Sequence, residues 1–431
     1  MEIAGILVLV ISFVLLLLIG VPIAFCIGIA TLMTMFVSIS FEPAITTVAQ
    51  RMATGLDSFT LLAIPFFILA GQIMNQGGIA RRLIDLAKSI VGMLPGGLAY
   101  VQIIAAMLFG SISGSAVATA SAIGGFMGPQ MEKEGYDKPF STALNITSST
   151  TGLIIPPSNI LIVFSLASGG VSIAALFLAG YLPGILVGLS LMFVSGYFAI
   201  KKKYPISGRV PFKVFLKRFF DAIPSLFLII LVIGGIVAGI FTATEASAIA
   251  VIYALILGLA YKNINPKQLK EVFLSSCNIT AIVALLIATS MAMSWIMSYE
   301  NIPVYVSESL IALSDNPFVI MIIINIILLM VGVFMDITPA VLIFTPIFLP
   351  LAVDLGMDPV HFGIVMILNL CVGLTTPPVG SVLFVGCGIS DVSITKVIRP
   401  LLPLYLAMVI SLLAVTFFED ISLFLPRLFG Y

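Results

Sequence analysis

Apolar runs of about 18–25 residues, the length of a membrane-crossing helix, recur along the 431-residue chain between short charged or Gly/Pro-rich breaks. They predict spanning helices near 3–19, 22–40, 57–78, 138–168, 173–200, 222–241, 246–261, 272–298, 359–390 and 400–420. Two further apolar stretches, 96–130 and 317–353, carry small or polar residues midway. Each fits a re-entrant helical hairpin that enters and leaves on one side. Basic residues support this. With residue 1 facing outward, 17 of the 19 Lys and Arg residues, Arg209 among them, fall on one side, leaving Arg51 and Arg427 on the other. Counting either hairpin as a single crossing reverses everything after it and removes this positive-inside bias.

The same words also occur twice. Residues 150–159 read Thr-Thr-Gly-Leu-Ile-Ile-Pro-Pro-Ser-Asn, and residues 371–380 read Cys-Val-Gly-Leu-Thr-Thr-Pro-Pro-Val-Gly, 221 positions later. At that offset Pro129 meets Pro350, Gly135 meets Gly356, Asp137 meets Asp358, and Val171-Ser172-Ile173 meets Val392-Ser393-Ile394. Each Pro-Pro predicts a helix broken inside the membrane. In the charge-based topology the first broken helix, 138–168, runs inside to outside, and the second, 359–390, runs back. The expected fold is therefore an all-α polytopic membrane protein built as an inverted repeat, with two re-entrant hairpins and two broken helices. Such paired breaks point to a binding site near mid-membrane between the halves.

Composition agrees: 61% hydrophobic and 9% charged residues are more than a soluble core requires. The zero formal charge gives no argument for a nucleic-acid partner. The four cysteines have no paired spacing and read as small core residues. The chain opens Met-Glu-Ile without a basic leader, and its apolar stretch runs past residue 35, which predicts spanning helices rather than a cleaved signal.

Proline lacks an N–H and clashes with the carbonyl four residues earlier, so two in a row free the carbonyls of Gly152 to Ile155 and of Gly373 to Thr376. Freed carbonyls with hydroxyls make an oxygen cage suited to a hard alkali cation, and half-helix N-termini favour an anion. The hairpin tips, Gly110-Ser-Ile-Ser-Gly-Ser-Ala116 and Gly332-Val-Phe-Met-Asp-Ile-Thr-Pro339, would close one cage per half. Thr338-Pro339 reads as an N-cap and first helical residue, and Ser113 or Ser115 as the equivalent cap. Asn145 reads either as an amide turned toward the first cage or as an interhelical hydrogen-bonding residue. The glycines and serines of the first tip also fit small-residue helix packing. Asp336 is the only acid inside either hairpin and reads as a cation or substrate contact, or as an acid at a hydrated helix N-terminus. Glu245 reads as a first-turn helix acid, His361 as structural, and Trp295 and Tyr299 as interfacial anchors. Residues 79–95 and 300–316 read as amphipathic arms before each hairpin. No His-Glu-x-x-His and no intramembrane acid pair is present, which disfavours an enzyme.

Ile154-Ile-Pro-Pro-Ser158, Gly373-Leu-Thr-Thr-Pro-Pro-Val-Gly380, Phe109-Gly-Ser-Ile-Ser-Gly-Ser115, Phe241-Thr-Ala-Thr-Glu-Ala246 and Pro65-Phe-Phe-Ile-Leu-Ala-Gly71 resemble signatures of the large membrane subunit of tripartite ATP-independent periplasmic (TRAP) transporters. One departure is Ala243, where the family often has proline. The resemblance implies sodium-driven uptake of an organic acid, such as a sialic acid or a dicarboxylate, across the bacterial inner membrane. It implies no cofactor beyond Na+, a periplasmic substrate-binding protein, and a separate small four-helix membrane subunit, since the N-terminus carries no fused segment of that kind. It also implies an elevator architecture. Scaffold helices are then expected at 1–78, 173–299 and 399–431, arms at 79–95 and 300–316, and transport-domain halves at 96–172 and 317–398. The family's sodium sites map to Gly332, Gly373, Thr376 and Val379, and by the repeat to Ser111, Gly152, Ile155 and Ser158, with Asn145 beside them. Ser113, Ser115, Asn159, Asp336 and Thr338 are the expected substrate contacts. The alternative is a Na+- or H+-coupled anion carrier of similar architecture that needs no binding protein.

Overall fold

The computed structural model describes residues 2–205, 211–314 and 316–431, and the regular structure among them is entirely helical. Arg209, counted with the basic side, lies outside the described residues. The first half opens with α1 (Glu2–Leu18), α2 (Ile23–Ser38), α3 (Phe41–Leu56), a 3-10 turn (Phe59–Leu62) and α4 (Ala63–Gln76). It continues through α5 (Ile79–Val91), the hairpin α6 (Gly97–Ser113) and α7 (Ala116–Lys133), the interrupted pair α8 (Lys138–Thr151) and α9 (Asn159–Ala167), and α10 (Ile173–Lys202). The second half opens with α11 (Phe212–Val237), α12 (Ala243–Ala260), α13 (Pro266–Tyr299) and α14 (Ile302–Leu313). Then come the hairpin α15 (Pro317–Phe334) and α16 (Ile337–Asp354), the interrupted pair α17 (Pro359–Gly373) and α18 (Ser381–Ser390), α19 (Ile394–Phe417) and α20 (Asp420–Leu428). Eight helices among the described residues are long and apolar enough to cross a membrane.

Helix starts follow local chemistry. Thr242 and Glu245 form a reciprocal capping box on α12, which gives Glu245 the first-turn role its position suggests. Asn265 and Gln268 do the same for α13, with Pro266 at its first turn. Asp358 caps α17 just before Pro359. His361 is buried, with Nδ1 2.6 Å from the Ser422 hydroxyl, and so ties α17 to α20. Trp295 stacks on Tyr299 at 5.3 Å, and the Arg51 guanidinium lies over the Trp295 ring.

Three elements depart from the sequence pattern. Helix α3 is not predicted, because Glu42 and Arg51 make it too polar to register as a span; it buries Ala44, Val48 and Gly55 against α2 and α13. Helix α20 is likewise too short and polar to register. Helix α14 is less amphipathic than an arm should be: Glu308 is its only charged residue, and Val304, Ile311 and Leu313 are exposed. By contrast, α5 buries Ile79, Leu83, Ile84 and Ala87 on one face, and its Arg82 lies 3.3 Å over the Tyr261 ring.

Packing sorts the helices into two groups. The hairpins and interrupted pairs pack with α10, α19 and α20 into one core in which α8 and α17 are almost wholly buried. Helices α1 to α4 pack with α11, α12 and α13. Residues 173–202 and 399–428, expected among the scaffold helices, pack against the hairpins and interrupted pairs. Lateral packing of a uniformly apolar helix leaves no trace in its periodicity. The two groups meet where α4 lies against α6 and α9, and where α13 lies against α16.

Candidate functional site

Both Pro-Pro pairs interrupt their helices at the expected places, and both bonds are cis. In the first break all of residues 152–158 are buried. Pro156 and Pro157 have no N–H to offer the carbonyls of Gly152 and Leu153. The Ser158 hydroxyl replaces one of them, donating to the Leu153 carbonyl at 2.5 Å. In the second break Thr376 N–H donates to the Gly373 carbonyl at 2.9 Å, and its hydroxyl donates to the Val372 carbonyl at 2.9 Å. This break is open on one side, since Val379 is 42% exposed where Ser158 is 1% exposed.

Each break is pressed against a hairpin by a glycine pair. A methyl on Gly152 would stand 2.3 Å from Gly110 Cα, and one on Gly373 would stand 2.6 Å from Gly332 Cα. No side chain fits at either crossing, so the hairpin and the break meet there backbone to backbone. Ser111 adjoins the first crossing, but its hydroxyl donates to the Leu108 carbonyl at 2.9 Å. Asn145 is not at the crossing. Seven residues before Gly152 on one helix, it sits about 10 Å down the axis, and its amide donates to the Ala120 carbonyl at 3.0 Å. The interhelical alternative is the one realised.

Between the breaks and the hairpin tips lies a cavity of about 200 Å³. Ser113, Ser115, Asn159, Asp336 and Thr338, scattered over more than half the chain, all line it. The N-termini of α7, α9, α16 and α18 converge on it, through Ser115, Asn159, Asp336 and Ser381 respectively. Four such ends bring a set of partial positive charges and unpaired N–H groups to one place. Ser115 caps α7 by accepting from Ala118 N–H at 3.2 Å. For α16 the cap is Asp336 and not Thr338: its carboxylate accepts from Ile337 N–H at 2.9 Å, and Pro339 falls in the first turn. A carboxylate is a strong N-cap and comes two residues earlier, which is why it wins.

Two polar lining residues escape sequence reasoning. Gln72 projects from α4, and its signal is the first amide after the apolar run 61–71, ahead of Asn75 and Gln76 on the same helix. Ser381, whose hydroxyl is buried and unpartnered, lies one position past the repeat partner of Asn159. The remaining wall is aliphatic, with Ile64 and Ile68 from α4 and Ile279 and Val283 from α13. Among the described lining residues there is no Lys, Arg or His. The Asn159 Oδ1 is also buried without a partner. The cavity thus offers hydroxyls, amides and helix N-termini for an anionic or polyhydroxylated small molecule, with one carboxylate at its edge.

Comparison with known proteins places this geometry. Residues 10–421 match the family described as "Tripartite ATP-independent periplasmic transporter, DctM component". An uncharacterized Salmonella typhimurium protein, YgiK, is 56% identical over 419 residues, covering 97% of this chain and 96% of its own. The C4-dicarboxylate TRAP transporter large permease protein DctM of Rhodobacter capsulatus is 38% identical, covering 96% of this chain and 97% of its own. The sialic acid TRAP transporter large permease protein SiaM of Vibrio cholerae is 37% identical, covering 96% of each. The solved structure of the YdaH transporter of Alcanivorax borkumensis shares the fold at a TM-score of 0.65 and 14% identity, covering 86% of this chain and 87% of that one. With motifs, cavity and near full-length likeness in agreement, this multi-pass membrane chain belongs to the DctM family, the large membrane subunit of TRAP transporters.

Proposed function

We propose that the chain imports an organic acid by coupling it to sodium, moving the hairpin core as an elevator past the flanking helices. The observation that carries this is the central cavity: four helix N-termini and two glycine-pressed helix breaks gathered around one 200 Å³ space. Sodium would sit at the two crossings, held by carbonyls near Gly110, Gly152 and Leu153 in the first half, and near Gly332, Gly373 and Thr376 in the second. A carboxylate would take the N-termini of α7 and α9 with Ser113, Ser115 and Asn159. Hydroxyls would reach Asp336, Thr338, Gln72 and Ser381. The aliphatic wall from α4 and α13 supplies a surface along which a loaded core can slide without breaking hydrogen bonds. In this reading a periplasmic binding protein delivers the substrate and a small membrane subunit accompanies the chain, as in other large permeases of the family, in the bacterial inner membrane.

The driving force follows from charge. Two Na+ with a monoanion carry net positive charge inward, and each charge gains about 2.3 kcal/mol per 100 mV of inside-negative potential. Likeness does not select the acid, since relatives named for a dicarboxylate and for sialic acid stand at 38% and 37% identity. The test is uptake into proteoliposomes holding this chain and its small subunit, with binding protein and candidate acids outside. Uptake should need both an inward sodium gradient and the binding protein. Uptake indifferent to sodium would refute the coupling, and uptake without the binding protein would favour the simpler carrier.

A further inference from the structure

Helices α10 and α19 are repeat partners that pack side by side, and the end of α10 meets the start of α19, so the two run antiparallel. A groove of about 470 Å³ lies between them. Ser190, Phe193 and Tyr197 of α10 line it, with Pro403, Leu406 and Ile410 of α19. On each helix these positions follow one another at three- and four-residue steps, so each helix contributes a single face. Ala407 is buried beneath the groove, while Phe193, Tyr197, Leu406 and Ile410 stand exposed along it. Helix α20 also packs against α10, yet none of its residues lines the groove.

One step further along the same two faces the chemistry changes. Lys201 follows Tyr197 by one helical turn, and Arg399 precedes Pro403 by one. With Lys202 they line a second recess, of about 730 Å³, which shares Phe198 with the groove. The Lys201 ammonium lies 5.7 Å from the centre of the Tyr197 ring, so the cation adjoins the groove directly. Lys202 is neutralised by Asp137, whose carboxylate also accepts from the Tyr204 hydroxyl at 2.9 Å. Asp137 is the one acid among the described residues of this recess. Lys201 and Arg399 are exposed and enter no ion pair among the described residues. The stretches 190–201 and 399–410 each rise about 16 Å at 1.5 Å per residue, close to half of the roughly 30 Å hydrocarbon core. At the other end of the helix pair, residues 173–186 and 404–417 contain no Lys or Arg.

We propose that the two recesses together hold one anionic phospholipid of the basic-side leaflet, its phosphate between Lys201 and Arg399 and one acyl chain in the groove. Each part of the site matches one part of such a molecule. Two cations on facing helices, neither spent on an acid, complement a phosphodiester at headgroup depth. An aromatic and aliphatic groove one leaflet long complements the chain. A free phosphate would use the cations and leave the groove idle, and a wholly apolar helix from another protein would leave the cations without a counter-ion. Since α10 and α19 pack with the hairpins and interrupted pairs, the lipid sits on the same body as Ser113, Ser115, Asn159, Asp336 and Thr338.

The test titrates the delipidated full transporter in detergent with phosphatidylglycerol or with phosphatidylcholine of the same acyl chains, and reads bound lipid by native mass spectrometry. One phosphatidylglycerol should bind more tightly than phosphatidylcholine by about 25-fold, on the order of fivefold for each of the two cations. Lys201→Gln combined with Arg399→Gln should abolish that preference; both side chains are exposed, so the fold is left alone. Lys213→Gln combined with Lys217→Gln, which removes two exposed cations of α11 on the same side, should keep it. Ser190→Phe, which sets a ring in the groove, should weaken both lipids alike, with thermal unfolding in the absence of lipid showing the variant folded. A preference that survives Lys201→Gln with Arg399→Gln would overturn the site. So would an equal loss in the α11 control, which would leave only the general attraction of a basic face. Displacement of phosphatidylglycerol by inorganic phosphate at constant ionic strength would mean an anion site without a lipid. Release of the small subunit by Ser190→Phe, with lipid binding unchanged, would make the occupant a protein helix and overturn the lipid.

Discussion

The sharpest consequence of the site geometry concerns Gly152→Ala. Gly152 has ordinary right-handed backbone angles, so alanine is conformationally permitted there. The obstacle is purely spatial. The new methyl would lie 2.3 Å from Gly110 Cα, 2.5 Å from Gly110 C and 2.9 Å from Ser111 N, all of them backbone. Carbon–carbon contacts relax at about 3.5–4.0 Å, so hairpin and break must separate by roughly 1 Å or more. Overpacking of this kind costs about 1–3 kcal/mol. If the crossing is the ion cage, much of that cost falls on sodium binding, and half-saturation should rise by a factor of about 5 to 150. The assay is a sodium titration of uptake beside a thermal unfolding curve. Gly234→Ala serves as the control, an exposed position in α11 where an added Cβ meets nothing within 4 Å. A Gly152→Ala protein that keeps a native sodium titration would refute the assignment of this crossing, whatever its stability.

Thr376→Ala removes the hydroxyl that ties the second break to Val372 and should weaken sodium dependence while the protein stays folded, whereas Thr376→Ser should retain it; an unchanged sodium titration in the alanine variant would remove Thr376 from the cage. Asp336→Asn preserves an N-cap for α16, so melting should shift little, while Asp336→Leu should lose about 1 kcal/mol of capping; both should impair uptake, and normal uptake by either would exclude the carboxylate from the cavity's function. Tyr136 and Tyr204 stack with ring centroids 4.1 Å apart, and burial pushes both phenols up to about 12. A raised phenol pKa leaves stability intact below the unfolded value near 10 and removes it as pH climbs from about 10 toward 12, because the unfolded chain then releases protons the folded one keeps. Phenolate absorbance should therefore lag the change seen for free tyrosine, and Tyr204→Phe should flatten the alkaline loss of stability; an unchanged alkaline profile in that variant would count against the pair.

Much of this was legible in the residues, and the pattern of what was not is physical. Pro156-Pro157 and Pro377-Pro378 announce their breaks because no helix tolerates them, and Ser113, Ser115, Asn159, Asp336 and Thr338, singled out from the hairpin tips and the first break, all line one cavity. Asp336 against Thr338 as cap was misread because both types cap helices, and only backbone angles choose between neighbours. Asn145 was legible as polar and buried, yet its direction depends on Gly124, which its own sequence neighbourhood does not contain. Gln72 and Ser381 come from elements brought to the cavity by tertiary packing. The place of α10 and α19 in the hairpin core is invisible for the same reason, since an apolar helix presents similar faces to lipid and to protein.

Helix α13 runs unbroken where the first half needs α3, a 3-10 turn and α4 to cover the matching stretch. Past its charged start, residues 272–299 would reach about 42 Å at 1.5 Å each, against roughly 30 Å of hydrocarbon. A rod of that length crosses either with its ends in the headgroup layer, where Trp295 and Tyr299 would hold one of them, or with a lean. Turnover should accordingly answer to acyl-chain length, rising or falling as thicker and thinner bilayers press this long strut toward or away from the surface over which the cargo travels.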